Sequence, residues 1–504
     1  MEKKMELSVK DREFFHLVKD ATFANPFSDT RVELDLKISR LSPKTPYAER
    51  IDRVTREVHD RIEILDKNGN ITLGQYSGQD REFVRIGLLF DFFHQFIEKF
   101  DALIPEQIKV GERSVPVPFA EKALADLHKR GFGAKEASHY FAICYQFRRA
   151  FYFIEHSLIG SSQCMKELRR NLWNNVFTYD IGLYDTYLWN RMEDFSTLIL
   201  GETGTGKGTS AISIGRSGFI PFDEKNGCFV ESFARSFVSL NLSQFPETLI
   251  ESELFGHKKG SFTGAMEDHK GVFDRCSPYG SIFLDEIGEV TYPVQIKLLQ
   301  VLQDRIFVPV GSHQQRRFRG RVIAATNRSV HEIREKHILR DDFFYRLCSD
   351  IITVPSLRQR IQEEPDELDD LIYYTIERMI GQTSPELANM VTHVIKKQLN
   401  KYPWPGNVRE LEQCIRRILL KRSYEGDLKS LEPDLRSRLA ESIGRGDLDA
   451  HSLLAGYCYL LYKRFGTFEA VSKQAKLDRR TAKKYIKQWE KQQEEKNASS
   501  VPCL

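Results

Sequence analysis

The stretch Ser196–Gly208, STLILGETGTGKG, joins a short apolar run to a glycine-rich loop. The apolar run predicts a buried parallel strand, and the glycines allow backbone N–H groups to face a phosphate where the next helix begins. Lys207 can then reach the β and γ phosphates of a nucleotide. We therefore predict a phosphate loop formed by residues Gly201, Glu202, Thr203, Gly204, Thr205, Gly206, Lys207, Gly208 and Thr209.

A second apolar run, Ile282–Leu284, ends in the carboxylates Asp285 and Glu286. Charges at the end of a buried strand are costly unless they have a partner or a task. Paired acids at this position can hold Mg²⁺ and polarise an attacking water, and we assign the first role to Asp285 and the second to Glu286. Together with the phosphate loop, they predict hydrolysis of ATP with Mg²⁺.

Length and composition limit the class of protein. With 504 residues, 41% of them hydrophobic, the chain is long enough for about three packed domains. No apolar run approaches the roughly 18 residues of a membrane span, and the N-terminus does not resemble an export signal. We therefore expect a soluble, cytoplasmic protein without a membrane partner. The eight cysteines are scattered without CxxC pairs, which favours reduced thiols over zinc or disulfides.

The chain divides into five segments by composition and pattern. Residues 1–157 are expected to form an α+β regulatory or sensor domain of unknown type. In this domain the alternation of Val32, Leu34, Leu36 and Ile38 predicts a strand, residues 61–76 predict a hairpin turning at Asn68-Gly69, and residues 83–100 and 134–154 predict helices. An α/β ATPase core is expected over residues 158–356, a helical lid over 357–424, a linker over 425–448 and a helical domain over 449–491.

The C-terminal segment carries concentrated positive charge. From Leu461 to Lys487 there are nine lysines and arginines against two acidic residues. Thr467 and Asp478 are expected to cap two short helices, and the second helix has an apolar stripe formed by Ala482, Tyr485, Ile486 and Trp489. Its other face is polar and basic. This pattern predicts a helix-turn-helix that binds DNA through Arg479, Arg480, Thr481, Lys483, Lys484 and Lys487.

The run Glu251–Ala265, ESELFGHKKGSFTGA, lies between the phosphate loop and the paired acids. With SIFLDE at 281–286 and VIAATN at 322–327, it resembles the AAA+ activators of sigma-54 RNA polymerase, the bacterial enhancer-binding proteins. The resemblance covers residues 158–424 and the C-terminal helices, which are similar to a Fis-type helix-turn-helix. It implies an αβα core with a helical lid, a hexameric ring, and the sigma-54 polymerase and enhancer DNA as partners.

The resemblance also assigns roles to individual residues. It implies that the loop formed by Gly260, Ser261, Phe262, Thr263, Gly264 and Ala265 contacts sigma-54. Asn327 is similar to the sensor of the γ-phosphate, and Arg409, in the WPGNVREL motif, to the lid arginine that contacts nucleotide. Arg340 and Arg346 match arginine fingers that reach a neighbouring subunit, and Asn241 matches the residue that restrains the catalytic glutamate.

Three features depart from the patterns. Gly208 replaces the usual hydroxyl residue after the lysine, which removes one expected Mg²⁺ ligand and bears on nucleotide affinity. Ser261 replaces a familiar alanine. Extra residues at Asn174–Glu193 and Ser217–Arg235 flank the phosphate loop, so local packing or subunit contacts are expected to differ.

The sequence therefore predicts an ATP-dependent transcriptional activator. Two alternatives remain open: a ring-forming DNA-binding repressor that does not engage sigma-54, and an AAA+ enzyme that remodels other proteins. The Phe262-Thr263 pair argues against the first, and the basic C-terminal helices argue against the second. For residues 1–157, a sensor domain and an oligomerisation or packing domain are equally open.

Overall fold

The computed structural model describes residues 4–66, 71–399, 402–424, 439, 442–444, 446 and 448–498. It separates into two compact units, Met1–Arg422 and Ser423–Leu504, and each is described by itself.

A five-stranded parallel sheet forms the centre of the first unit, in the order β4-β5-β8-β1-β9. Every residue of β1 and β8 is buried, as expected for parallel strands covered on both faces. The sheet strands are β1 (Thr197–Leu200), β4 (Phe237–Asn241), β5 (Ser281–Asp285), β8 (Arg321–Thr326) and β9 (Asp350–Thr353). Because the strands are parallel, the residues that follow each of them meet at one edge.

Two further strand pairs are short antiparallel hairpins. They are β2 (Phe222–Asp223) with β3 (Cys228–Phe229), and β6 (Ile306–Phe307) with β7 (Arg316–Arg317).

Helices cover both faces of the sheet, which confirms the predicted αβα core. One apolar core packs β5 and β8 against the helix Tyr292–Asp304. The other packs the opposite face of the sheet against α6 (Ala134–Ser157), α7 (Gln163–Phe177) and α9 (Lys207–Gly215). Before the lid the helices are α1 (Val9–Phe23), α2 (Asp29–Ser39), α3 (Tyr47–Leu65), α4 (Gly78–Val110), α5 (Ala120–Lys129), α6 (Ala134–Ser157), α7 (Gln163–Phe177), α8 (Ile181–Leu183), α9 (Lys207–Gly215), α10 (Glu247–Phe255), α11 (Val272–Arg275), α12 (Tyr292–Asp304), α13 (Val330–Glu335) and α14 (Asp341–Leu347).

In the part of the lid that the structure describes, the helices are α15 (Leu357–Glu363), α16 (Glu367–Ile380), α17 (Pro385–Gln398) and α18 (Asn407–Lys421). A buried ion pair between Arg360 of α15 and Glu367 of α16 joins the first two. Glu367 also accepts a hydrogen bond from the backbone N–H of Ser162 at 2.7 Å. The lid is thereby fixed to the segment that precedes α7.

The N-terminal segment corrects the α+β prediction, because residues predicted as strands are helical. Residues 32–38 lie in α2, where Leu34, Asp35, Ile38 and Ser39 are buried with the spacing of a helix face. Ser28 caps this helix by accepting the N–H of Arg31. Within the alternation, Leu34 and Ile38 are four residues apart and therefore also share one face of a helix. The predicted helices at 83–100 and 134–154 are confirmed within α4 and α6.

The predicted hairpin at 61–76 is also wrong where the structure describes it. Residues 61–65 are the last turn of α3, and Leu73–Gln75 is a 3₁₀ helix. The Asn68-Gly69 turn lies outside the described residues.

The insertion at 217–235 packs into the core of the N-terminal helices. Phe222, Phe229 and Phe233 are buried in the same cluster as residues of α4 and α6. The Phe229 ring stacks on Tyr145 with centroids 4.4 Å apart. Helix α6 belongs both to this core and to the one beneath the sheet. Residues 1–157 and the ATPase core therefore share one compact unit.

The described residues of the second unit include the helices α19 (Ala450–Phe465), α20 (Phe468–Ala475) and α21 (Arg479–Ala498). Their small core includes Cys458, Val471, Ala482 and Ile486. Among the described residues, no helix has the length and apolar character needed to cross a membrane.

Candidate functional site

A cavity of about 630 Å³ lies at the carboxyl edge of the sheet, between the core and the lid. Crevices at this edge are the usual ligand sites of parallel α/β sheets. The cavity brings together predicted residues from four parts of the sequence. Its lining includes predicted residues from every one of them: Thr203, Gly204, Thr205, Gly206, Lys207, Gly208, Thr209, Asn241, Asp285, Glu286 and Arg409.

The phosphate loop has the conformation that its glycines allow. Gly204 and Gly206 have φ values of 82° and 105°, in the region that favours glycine. A Cβ on Gly204 would lie 2.3 Å from the carbonyl oxygen of Gly406, so the lid also requires glycine at this position. Lys207 begins α9, and its Nζ donates to the carbonyl oxygen of Gly201 at 2.9 Å. Burial lowers the pKa of Lys207, and the nearby carboxylate of Glu286 opposes that effect.

Asp285 is the last residue of β5 and Glu286 follows it, and both line the cavity with the phosphate loop. Glu286 has a φ of 56°, a left-handed conformation that is uncommon outside glycine and often marks a functional position. Burial raises the pKa of Glu286, while Lys207 and a hydrogen bond from the backbone N–H of Asn327 act in the opposite direction. A carboxylate with a raised pKa is a better general base than one in free solution.

Asn241 is the last residue of β4, and its contact with the acidic pair differs from the expected role. Its Nδ2 donates to Oδ2 of Asp285 at 3.4 Å, and its Oδ1 accepts the N–H of Ser243 at 3.0 Å. The contact is thus with Asp285 and not directly with Glu286.

Mg²⁺ fits this donor set. Proteins usually hold Mg²⁺ through one or two carboxylates, with phosphates and waters supplying the other oxygens. Asp285 offers such a carboxylate, and Thr209 lines the same cavity with a hydroxyl group, one position after Gly208. Within the described residues there is no cage of three or more His, Cys, Asp or Glu side chains. The residues present therefore suit an ion that arrives with a nucleotide.

The lid contacts the phosphate loop through the start of α18. Arg409 lines the cavity, and its backbone N–H donates to the carbonyl oxygen of Gly204 at 3.4 Å. The turn Trp404-Pro405-Gly406-Asn407 in the sequence predicts Asn407 as the cap of α18, but Gly406 is the N-cap residue and the Asn407 side chain points elsewhere. Its Nδ2 donates to the carbonyl oxygen of Thr203 at 3.1 Å, and its Oδ1 accepts the N–H of Leu357 at 2.8 Å. This buried amide joins loop and lid.

Gly201 and Glu202 stand at the start of the loop and do not line the cavity. Glu202 instead forms an ion pair with Arg358 of the lid, which lowers the pKa of this carboxyl. Asn327 follows β8, and its Nδ2 lies 3.5 Å from Oγ1 of Thr203. It therefore sits beside the loop but is not among the residues that line the cavity, and its role as a sensor stays a prediction.

Sequence reasoning missed several lining residues. Met165 and Leu168 of α7 contribute an apolar wall, and Tyr374 and Arg378 of α16 contribute a ring and a second lid cation. Their helices lie far from the motifs in sequence. The sequence signal in these segments is their helical periodicity, which indicates only that one face of each helix packs against another part of the protein.

Arg340 and Arg346 lie outside the cavity of their own chain. Arg340 pairs with Asp342 at 2.8 Å, at the start of α14. The Arg346 Nε donates to the carbonyl oxygen of Leu302 at 3.1 Å, and the residue is exposed. Neither guanidinium serves the site of its own subunit in this arrangement.

The GSFTGA loop, residues 260–265, forms an exposed turn on the core. Gly260 and Gly264 have φ values of 80° and 102°, and the N–H of Gly260 donates to the carbonyl oxygen of Ala265 at 2.8 Å. Phe262 and Thr263 are exposed at its tip, and the Phe262 ring packs edge-on against His257. Ser261 packs against Gly311 of the neighbouring β6–β7 hairpin.

In the second unit, the two predicted caps of the helix-turn-helix are confirmed. Thr467 accepts the N–H of Ala470, and Asp478 accepts those of Arg480 and Thr481. On α21, Ala482, Ile486 and Trp489 are buried and Tyr485 is half-buried, as predicted. The predicted DNA residues Arg479, Arg480, Lys483, Lys484 and Lys487 are exposed, and Thr481 is half-buried.

Residues 187–353 match the family model of the sigma-54 interaction domain, and residues 362–444 match that of the AAA+ ATPase lid domain. The fold and the nucleotide-type cavity thus belong to an AAA+ ATPase module. Within that class, the matched residues are similar to the sigma-54 interaction domain. The lid model extends past the predicted lid end at 424 into the predicted linker.

Two relatives illustrate the similarity. The Nif-specific regulatory protein of Azotobacter vinelandii is 42% identical over 229 residues, which are 45% of this chain and 40% of that protein. The DNA-binding transcriptional regulator NtrC of Azospirillum brasilense is 35% identical over 268 residues, 53% of this chain and 49% of that protein. The chain thus matches less than half the length of each relative.

Among solved structures, NtrX from Brucella abortus in complex with ATP aligns with a TM-score of 0.40 at 18% identity. The alignment covers 74% of this chain and 80% of that one.

Proposed function

We propose that this protein is an ATP-dependent transcriptional activator that binds enhancer DNA, assembles into a hexameric ring and remodels the sigma-54 RNA polymerase closed complex into an open complex. The observation that carries the proposal is the cavity that joins the phosphate loop, the acidic pair and the lid arginine. The sigma-54 interaction domain match supports the choice of partner. Such a protein would act in the cytoplasm.

The proposed chemistry divides the work among the cavity residues. The loop N–H groups and Lys207 bind the phosphates, Asp285 holds Mg²⁺, and Glu286 orients and deprotonates the attacking water. Arg409 and Asn327 report the state of the nucleotide to the lid and the sheet. Asn241, through Asp285, positions the acidic pair. Mg²⁺, when bound, offsets the negative charge of the phosphates.

The ring is supported by where the two candidate fingers lie. Arg340 and Arg346 are outside the cavity of their own chain, so they can complete a site only on a neighbouring subunit. A closed ring satisfies every such site with the same interface. A hexamer is the ring size that the family resemblance implies.

Contact with sigma-54 is assigned to the GSFTGA loop, and Thr263→Ala tests it. We expect ATP hydrolysis within about twofold of the unaltered protein, because Thr263 is exposed and lies outside the nucleotide cavity. Open-complex formation at a sigma-54 promoter should fall more than about tenfold if the loop anchors a binding hot spot. Thr383→Ala, another exposed threonine, is the matched control and should change neither assay.

If Thr263→Ala opens promoters normally and still binds sigma-54, the loop has another role and the repressor alternative becomes the better one. If it disrupts ATP hydrolysis as well, the loop is structural.

DNA binding is assigned to α21, and the double change of Arg480 and Lys483 to alanine tests it. Both are exposed on the face opposite the buried stripe. Each lost phosphate contact should reduce the salt dependence of binding by about one unit of slope, whereas a lost base contact should cost roughly 1–3 kcal/mol at the specific site only. Fluorescence anisotropy on specific and random duplexes separates the two. Lys473→Ala, exposed on α20, is the control.

Trp489→Ala should act by a different route, because Trp489 is only 7% exposed in the core of the second unit. Removing this side chain should destabilise the unit by about 3–5 kcal/mol, with loss of helicity and of all DNA binding.

Unchanged operator affinity in the Arg480 and Lys483 double variant would exclude α21 as the recognition helix. An AAA+ remodelling enzyme of another kind would then be favoured.

A further inference from the structure

A second cavity, of about 170 Å³, lies within the N-terminal helices. It is separate from the nucleotide cavity and shares no lining residue with it. Aromatic rings make up much of its wall, including Phe90, Phe93, Phe147, Phe151 and Trp173. Phe93, Phe147 and Phe151 are half-buried, so the cavity is partly open to solvent and a small molecule can enter it. An apolar cavity of about 150 Å³ holds one benzene molecule.

The charged side chains around this cavity all have partners. Arg31 pairs with Asp35 at 2.8 Å, and Arg148 pairs with Asp101 at 2.7 Å. Arg85 pairs with Glu82 at 2.8 Å. Asp185 contacts His139 at 2.8 Å and accepts from the hydroxyl of Tyr140. Because these charges are already matched, the cavity suits an uncharged molecule.

His94 supplies a polar group on the apolar wall. Its Nδ1 lies 2.9 Å from the carbonyl oxygen of Phe90, which fixes that nitrogen as the donor. Burial lowers the pKa of His94 to about 4, so the ring is neutral at physiological pH. The lone pair is then on Nε2, which has no hydrogen-bond partner among the described residues. A ligand with one hydroxyl donor would satisfy this acceptor.

We infer that this cavity is a binding site for a small, uncharged, single-ring molecule that bears one hydrogen-bond donor, and that its occupancy is coupled to nucleotide binding. The site itself stands independently of the proposed function. The coupling rests on that function, because it acts on the nucleotide cavity.

Two helices connect the cavities directly. Helix α7 places Trp173 in the aromatic cavity and Met165 and Leu168 in the nucleotide cavity. Trp173 and Leu168 are about 7.5 Å apart along the helix axis. A shift of α7 that accommodates a ring on one side must therefore alter the wall on the other side.

The second connection is α6. Phe147 lines the aromatic cavity, while the buried guanidinium of Arg149 donates to the carbonyl oxygens of Arg216 and Gly218 at 2.8 and 2.7 Å. Those carbonyls follow α9, the helix that begins at Lys207. Burial lowers the pKa of Arg149 to about 10, and it still carries its charge at neutral pH. Helix α6 thereby holds the far end of the phosphate-loop helix.

The test uses phenol and toluene, which match in size and differ in the donor. With the full-length protein, we expect calorimetry to detect binding of both molecules and both to quench Trp173 fluorescence. Phenol should bind with the lower Kd. His94→Phe keeps a ring and removes the acceptor, so it should weaken phenol roughly fivefold, the effect of one neutral hydrogen bond, and leave toluene unchanged. His128→Phe is the matched control, because His128 also bonds a backbone carbonyl but lies outside the cavity.

Ile97→Phe should fill the space and abolish binding of both molecules, whereas Ile64→Phe, at an exposed position of α3, should not. Benzoate tests the charge assignment and should bind more weakly than phenol. Absence of phenol and toluene binding to the unaltered protein would overturn the site. Tighter binding of benzoate than of phenol would overturn the uncharged ligand class.

Coupling is measured as the ratio of the phenol Kd values without and with a non-hydrolysable ATP analogue. Thermodynamic linkage requires phenol to change the Kd of the ATP analogue by the same factor. We expect this factor to be about fivefold or more. An unchanged phenol Kd in a protein that binds the analogue would overturn the coupling alone. Failure to bind the analogue at all would instead contradict the proposed function, and the His94 and Ile97 results would still decide the site.

Discussion

Glu286→Gln should lower the rate of ATP hydrolysis by about 10²–10⁴-fold and leave ATP affinity within about threefold of the unaltered protein. Glutamine keeps the size of the side chain and its place beside Lys207, but it cannot accept a proton from water. The phosphate-binding groups, Lys207 and the loop N–H groups, are unchanged. Phosphate release measures the first effect, and calorimetry with ATP measures the second.

Glu289→Gln provides the control for this experiment. Glu289 lies three residues on, is exposed, and pairs with Arg328 outside the cavity. It should retain full activity. A Glu286→Gln protein with more than about a tenth of normal turnover would contradict the assignment of Glu286 as the base.

Arg340→Ala and Arg346→Ala should each lower turnover by up to about 10³–10⁵-fold, the effect of an arginine finger, while each subunit still binds ATP. Mixing either variant with Lys207→Ala subunits should restore part of the activity. In the mixture, some interfaces combine the intact nucleotide site of the arginine variant with the intact arginine of a Lys207→Ala subunit. Turnover of the mixture, measured against each variant alone, gives the result.

Mixing Glu286→Gln with Lys207→Ala is the control, because both lesions are in the site and no interface can be complete. If none of the mixtures hydrolyses ATP although the subunits still assemble, the two arginines do not act between subunits.

The sequence contained enough to predict the core and much of the site. The apolar runs before the phosphate loop and before Asp285 are both buried strands of one parallel sheet, with β8 between them, so the residues after both strands meet at the same edge. Short-range signals also sufficed for the caps at Thr467 and Asp478. Where a motif is local, its geometry is largely set by the residues within it.

Predictions failed where the outcome depends on distant packing. The alternation at 32–38 fits a strand, but Leu34 and Ile38 are buried together only because α2 lies against its neighbours. Asn407 has the residue type of a cap, yet the nearby loop carbonyl of Thr203 competes for its amide. The roles of Met165 and Tyr374 in the cavity wall likewise depend on tertiary contacts that no local pattern encodes.

The insertion at 217–235 also affects how the chain folds during synthesis. Phe222, Phe229 and Phe233 fill the core of the N-terminal helices, but they are translated roughly eighty residues after α6, which takes about 4–16 s at ribosomal speed. Throughout that interval, Phe141 and Tyr145 lack the rings that cover them in the finished protein. The N-terminal helices therefore leave the ribosome with an apolar surface that a chaperone can bind. They reach their native packing only once the first strand of the ATPase has been made.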